Sequence, residues 1–275
     1  MKLYTNGCSF TQGTYPFTHP GNPPHEDMPC QSYNDYTYFA EQQEFVWPWI
    51  LGKEFDFVFN HGKMSTGFDR TIRTTLEFLA SLDPKEYHEW IFIIQPTLPE
   101  RKEYIYDNGK LGQVCLPMPE QPFPPTVIFH TPDHNLDFLN ELSVEDEESE
   151  VLINYHMIFQ NPSSLMYDQY KNILMLQEIL KSKGIKYLYC PLQTGNCRTD
   201  NQSHNIDCIN LLVNNIDSDT ILPSMARILT DPNADPPEKV ASKYCLPNDN
   251  HPNALGNQMI ADYIKSELEK RNWLT

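Results

Sequence analysis

No apolar run in this 275-residue chain approaches the ~18 residues needed to span a bilayer. Residues 1–7 lack the apolar centre of a signal peptide. The seven cysteines include no closely spaced metal-type pair, and their odd number argues against a complete disulfide framework. Together these absences point to reduced thiols and a cytoplasmic location, with a phage-associated protein as the variant that evades the argument. Positive charge is also scarce. Lys and Arg number 20 against 37 Asp and Glu, a net charge of −17, so nucleic acid and anionic membranes are not expected partners. No internal repeat and no linker composition is present.

Proline is the residue in excess, at 23 against an ordinary share of ~5 %, and it predicts long irregular connections. Between them, strands and helices alternate. "KLYTNG" reads as a first strand ending in a turn, followed by a long loop over 14–45. "FVWPWILGKEF" reads as a short helix, "FDFVFN" (55–60) as a second strand and "DRTIRTTLEFLASL" as a helix. "EWIFIIQP" is too continuously apolar for a strand with one wet face, so it is expected at the centre of a sheet. Residues 98–162 break the rhythm with "PMPEQPFPP" and "EDEESE" and read as an insertion with little regular structure. In the next helix Met166, Tyr170, Ile173, Leu176 and Leu180 recur at helical spacing, Ser163 or Ser164 is the expected cap and Gly184 the stop. "IKYLYC" follows as a strand. Residues 192–245 read as a second irregular insertion with a helix near 206–213, and a last helix runs over Ala254–Lys270. The pattern predicts a single α/β domain over 1–275, a three-layer sandwich with a mainly parallel, flavodoxin-like sheet and long irregular insertions.

Ligands of such sheets bind at the carboxyl ends of the strands. Ser9 lies just past the end of the first strand, between Gly7 and Gly13, where a sharp turn can expose its hydroxyl. A serine needs a base, and the base needs an orienting group. His251 stands in "PNDNHPNALG", immediately before the last helix, with Asn248 and Asp249 close enough in sequence to hold its ring. Of those two, Asp249 is the expected partner, because a carboxylate also offsets the imidazolium that forms. Asn248 is the alternative.

"NGCSFTQG" resembles the first block of the SGNH/GDSL hydrolases, in the branch that carries Gly-Cys-Ser-Phe-Thr-x-Gly, and "DNHPNALGNQMIADYI" resembles their last block. "FVFNHGKMSTGFDRTI" is similar to the second block, and "FIIQPTLPER" occupies the place of the third. The resemblance implies Ser9 as nucleophile and His251 as general base. It implies an oxyanion hole built in part from the backbone N–H groups of Ser9 and Ser65. The family's third block supplies an Asn side chain. Gln95-Pro96-Thr97 stands there in this chain, so Gln95 or Thr97 is the expected donor. The family also places Asp three residues before His, where this chain has Asn248.

Other motifs carry weaker signals. "HTPDH" (130–134) spaces two histidines by four, but Pro132 opposes a helix and two ligands do not make a site, so no metal is expected. Cys8 raises a thiol mechanism, although a small buried hydrophobe is the simpler reading. "YNDYTY" (33–38) reads as loop packing, with a sugar-stacking cleft as the alternative. Arg70 and Arg73 read as a solvated helix face. The expectation is therefore a cofactor-free serine esterase acting through an acyl-enzyme on Ser9, with an acetylated carbohydrate or a small acyl ester as substrate. The alternative is an SGNH scaffold whose catalysis has decayed and which serves as a binding or structural module, for instance in a phage.

Overall fold

A computed structural model describes residues 1–12, 45–63, 67–99, 101–105, 111–115, 126–130, 140–142, 162–192, 206–230, 242–245 and 251–274. In chain order the elements are β1 (Lys2–Asn6), α1 (Ser9–Gln12), α2 (Trp47–Gly52), β2 (Phe57–Asn60), α3 (Phe68–Ser81), β3 (Trp90–Ile94), β4 (Arg101–Ile105), β5 (Leu111–Cys115), β6 (Thr126–His130), β7 (Asn140–Leu142), α4 (Pro162–Ser182), β8 (Lys186–Tyr189), α5 (Asp207–Asn215), α6 (Met225–Ile228) and α7 (Ala254–Lys270). Short 3₁₀ turns occupy Pro84–Glu89, Ser218–Thr220 and Ser242–Tyr244.

Four parallel strands form one sheet in the order β2-β1-β3-β8. Side chains alternate across it, and each face meets its own helices. Tyr4, Phe92, Ile94, Tyr187 and Tyr189 pack with Phe68, Ile72 and Leu79 of α3, with Tyr170, Ile173, Leu176 and Leu180 of α4, and with Ile209 of α5. Leu3, Ile91, Ile93 and Leu188 pack with Trp47 and Leu51 of α2, Met225 of α6, and Ile260, Ile264 and Leu268 of α7. The architecture is thus α/β. Every residue of β3 is buried, as its unbroken apolar run requires of a strand covered on both faces.

Three expectations change. Residues 98–162 contain regular structure after all: β4–β7 form an antiparallel sheet in sequential order. The prolines of "PMPEQPFPP", which led to the expectation of little regular structure, lie between Cys115 and Thr126 in the sequence, and none falls within β4–β7. Nor is the stretch after 192 simply an irregular insertion. Ile209 and Ile216 enter the first core, Leu222, Met225 and Leu229 enter the second, and Ile221 bridges to Tyr189 in parallel. Finally, α4 starts at Pro162, so Ser163 and Ser164 lie inside its first turn instead of capping it. Proline suits that first position because its missing N–H would have no partner there.

β4 joins the parallel sheet's neighbourhood through charge and close approach. Arg73 of α3 grips the nearly buried carboxylate of Glu103 with two hydrogen bonds of 2.7 and 2.9 Å. Lys102 bonds Asp168 of α4 at 3.1 Å. Arg70 is buried with one guanidinium nitrogen on the His61 carbonyl, so it is not a solvated surface residue. Among the described residues no helix is long and apolar enough to cross a membrane.

Gly184 ends the α4 segment as the sequence suggests, in the left-handed region at φ 67°. The Gly184 N–H reaches the Lys181 carbonyl and the Ile185 N–H reaches that of Leu180, which satisfies the helix's last acceptors. Gly184→Ala is expected to lower stability by ~1–2 kcal/mol in urea unfolding, the cost of a Cβ in that conformation. An unchanged midpoint would contradict the assignment of the glycine to its backbone angle.

Candidate functional site

The turn after β1 is built from buried polar groups. Asn6, the last residue of the strand, accepts the Gly7 N–H at 2.9 Å on Oδ1. Its Nδ2 faces the Tyr4 hydroxyl, the Thr71 carbonyl and the Thr74 and Thr75 hydroxyls of α3 at 2.9–3.0 Å. α1 then begins at Ser9, with the Thr11 and Gln12 N–H groups both bonded to the Cys8 carbonyl. Across the sheet, Gln95 follows β3, and its own N–H bonds the Asn6 carbonyl at 2.8 Å. Its Oε1 accepts from the Cys8 N–H at 2.9 Å, the Cys8 thiol at 3.2 Å and the Thr11 hydroxyl at 2.9 Å. A backbone N–H can only donate, so the atom facing it is the amide oxygen, and Nε2 is turned to the Met225 sulfur. Gly7 is needed here for room, not for a special backbone angle. A Cβ at that position would run into the Gln95 side chain and the Thr11 hydroxyl.

The loop after β2 closes the other side. Asn60 accepts from the Thr5 hydroxyl and the Gly62 N–H and donates to the Thr11 carbonyl at 2.7 Å. The Lys63 N–H bonds the Gly7 carbonyl at 2.9 Å. Gly62 lies so close to the backbone of Thr11 and Gln12 that a Cβ would collide with it. Burial, reinforced by Arg70, pushes the Lys63 ammonium down to about 8.

His251 arrives from the far end of the chain. Its loop is fixed by the antiparallel bridge of Cys245 and Pro252 and by Asn253, which accepts the Gly256 N–H to cap α7 and donates to the Lys243 carbonyl at 2.8 Å. Buried Asn257 donates to the Pro252 carbonyl at 3.1 Å and accepts the Trp47 N–H at 3.1 Å, tying the loop to α2. The result is a Ser9 Oγ to His251 Nε2 distance of 2.7 Å between residues 242 positions apart. That is hydrogen-bond reach for transfer of the hydroxyl proton to the imidazole. The pair sits beyond the carboxyl ends of β1 and β3. There the strand order reverses, which is the usual ligand position in open parallel sheets.

Other expected residues fare differently. Gln95 presents an acceptor to the turn and keeps its donor on Met225, so this arrangement makes it a brace of the turn and not an oxyanion donor. Thr97 is fully buried, with its carbonyl accepting from Gln169. The Cys8 thiol is completely buried, and that burial pushes its pKa up, which disfavours a thiolate nucleophile. Ser65, Asn248, Asp249, Gly13, the 33–38 segment and His134 lie outside the described residues. Phe10, Asn253 and Asn257 were missed in the sequence. The Asn pair had a readable signal in Asn-x-x-x-Asn straddling a helix start, whereas nothing in the chain announces that Phe10 meets His251. A groove of about 510 Å³ between α3 and α4, lined by Asp69, Ile72, Arg73, Leu76, Glu77, Ala80 and Asn172, includes neither member of the Ser9–His251 pair.

Comparison with protein-family models, with curated proteins and with solved structures finds no match.

The Gln95 brace leads to a direct expectation. Gln95→Leu leaves the buried Cys8 N–H without its acceptor and should cost ~1–3 kcal/mol of stability. Urea unfolding of the purified variant measures it. Wild-type stability in Gln95→Leu would mean that the amide does not hold the turn.

Proposed function

We propose that the protein is a serine hydrolase of SGNH/GDSL type, cleaving an ester through an acyl-enzyme on Ser9. The observation that carries this reading is the 2.7 Å contact of Ser9 Oγ with His251 Nε2. His251 takes the hydroxyl proton as Oγ bonds the acyl carbon, then returns it to the leaving alkoxide. Water repeats the sequence to release the acid. Asp249 is the proposed orienting residue for the imidazole, with Asn248 as the alternative. The backbone N–H groups of Ser9 and Ser65 are the proposed oxyanion donors; the third place that Gln95 gives up is assigned to no side chain, since Thr97 is fully buried. No cofactor is invoked. The substrate class is an acetylated carbohydrate or a small acyl ester, met by a single domain working in the cytoplasm or with a phage.

The strand order β2-β1-β3-β8 supports a flavodoxin-like arrangement, since the parallel strands taken alone run 2-1-3-4. The separate helix sets on the two faces support three layers. A second reading, a scaffold with decayed catalysis kept for binding, draws its support from the inward-turned Gln95, because loss of one oxyanion donor costs about 10²–10³ in rate.

Steady-state kinetics on a panel of short acyl esters separates the two readings. Wild type is expected to turn over, and His251→Ala to lose at least ~10³ in kcat, as base and nucleophile act as a unit. Asp249→Asn should cost far more than Asn248→Ala. No turnover by wild type favours the binding scaffold, equal rates for wild type and His251→Ala remove His251 from the mechanism, and a near wild-type Asp249→Asn overturns the carboxylate assignment.

A further inference from the structure

The His251 imidazole has an aromatic neighbour for which the proton-transfer scheme has assigned no part. Phe10, the residue after Ser9, lies with its ring centroid 4.7 Å from that of His251 and the two planes 31° apart. At that separation and tilt the imidazole rests over the face of the benzene ring, not against its edge.

The position of this ring is set by the same turn that presents Ser9. α1 is pinned at both ends of Phe10 by the Cys8 carbonyl and by the Thr11–Gln95 hydrogen bond. The ring itself packs on the buried group of Cys8, Leu98 and Leu192 and on the core beneath α7. His251 reaches it from a loop held by Asn253 and Asn257. Two independently braced segments therefore meet with a hydroxyl on Nε2 and an aromatic face on the ring of the same imidazole.

We infer that Phe10 is a positioning residue for the base, resting on the hydrolase reading above. Its face confines the imidazole so that Nε2 stays on Ser9 Oγ, and its negative quadrupole stabilises the imidazolium formed as the hydroxyl proton arrives. The proton leaves Oγ–H, resides on Nε2 and is delivered to the alkoxide, so the positive charge exists only between those events. An interaction that strengthens as that charge develops raises kcat and leaves ground-state binding alone. Nucleophile and base support are thereby encoded as adjacent residues.

The test measures kcat and KM on one short acyl ester for wild type, Phe10→Leu and Phe10→Tyr, and repeats Phe10→Leu in the His251→Ala background. Urea unfolding checks each variant, and Phe10→Met replaces Phe10→Leu if the latter does not fold. Phe10→Leu is expected to lose about 5–30-fold in kcat, the factor a ring face contributes to a cation, with KM unmoved. Phe10→Tyr, which keeps the ring, retains most of kcat. Once His251 is Ala, Phe10→Leu has no further effect, because the two act through one contact. Full kcat in Phe10→Leu, equal losses in Phe10→Leu and Phe10→Tyr, or the same loss without His251 would each overturn the inference while leaving the hydrolase standing. A wild type without turnover removes the hydrolase reading and the inference with it.

Discussion

One amide oxygen holds the turn on which the site stands. Oε1 of Gln95 receives the Cys8 N–H, the Cys8 thiol and the Thr11 hydroxyl at once, in a fully buried place. A buried N–H without an acceptor costs ~1–3 kcal/mol, so this oxygen fixes both the direction in which the chain leaves β1 and the start of α1. Asn6 repeats the logic one residue earlier. Its side chain satisfies the Gly7 N–H and reaches into the hydroxyl-rich face of α3. The chain thus uses two buried amides, one on β1 and one just past β3, to present a single hydroxyl above the sheet.

The second half of the site is brought in by hydrophobic packing. α7 lies on the core formed by Leu3, Ile91, Ile93 and Leu188 through Ile260, Ile264 and Leu268. Its start is aligned by Asn253 and Asn257, and α2 is tied to the same point through the Trp47 N–H. Packing decides which end of the chain meets Ser9, and these few hydrogen bonds decide the last ångström. Charge plays its part elsewhere, at the junction of α3, α4 and β4, where Arg73, Glu103, Lys102 and Asp168 interlock.

Much of this was legible in the residues. The alternation of strand and helix gave the parallel sheet, the unbroken run at Trp90–Ile94 marked its covered centre, and Ala254–Lys270 was bounded correctly by its helical spacing. The meeting of Ser9 with His251 fits the sequence pattern, in which a Gly-flanked serine and a His-Pro turn each sit at an element boundary. The antiparallel strands β4–β7 were hidden because prolines between strands weigh on composition in the same way as prolines within them. The orientation of the Gln95 amide is not legible in the sequence for a different reason. A side-chain amide can donate or accept, and only the three-dimensional position of the Cys8 N–H settles which end faces the turn. Phe10 was invisible because its meaning depends on a partner 241 residues away in the chain.

The claim that Ser9 is an activated nucleophile is tested most directly by covalent labelling. The intact protein is incubated with a fluorophosphonate, digested and mapped by mass spectrometry. A single phosphonyl adduct on Ser9 that disappears in Ser9→Ala, and persists in Cys8→Ala, is the result this account requires. An adduct retained by Ser9→Ala, or carried by Cys8, would contradict it.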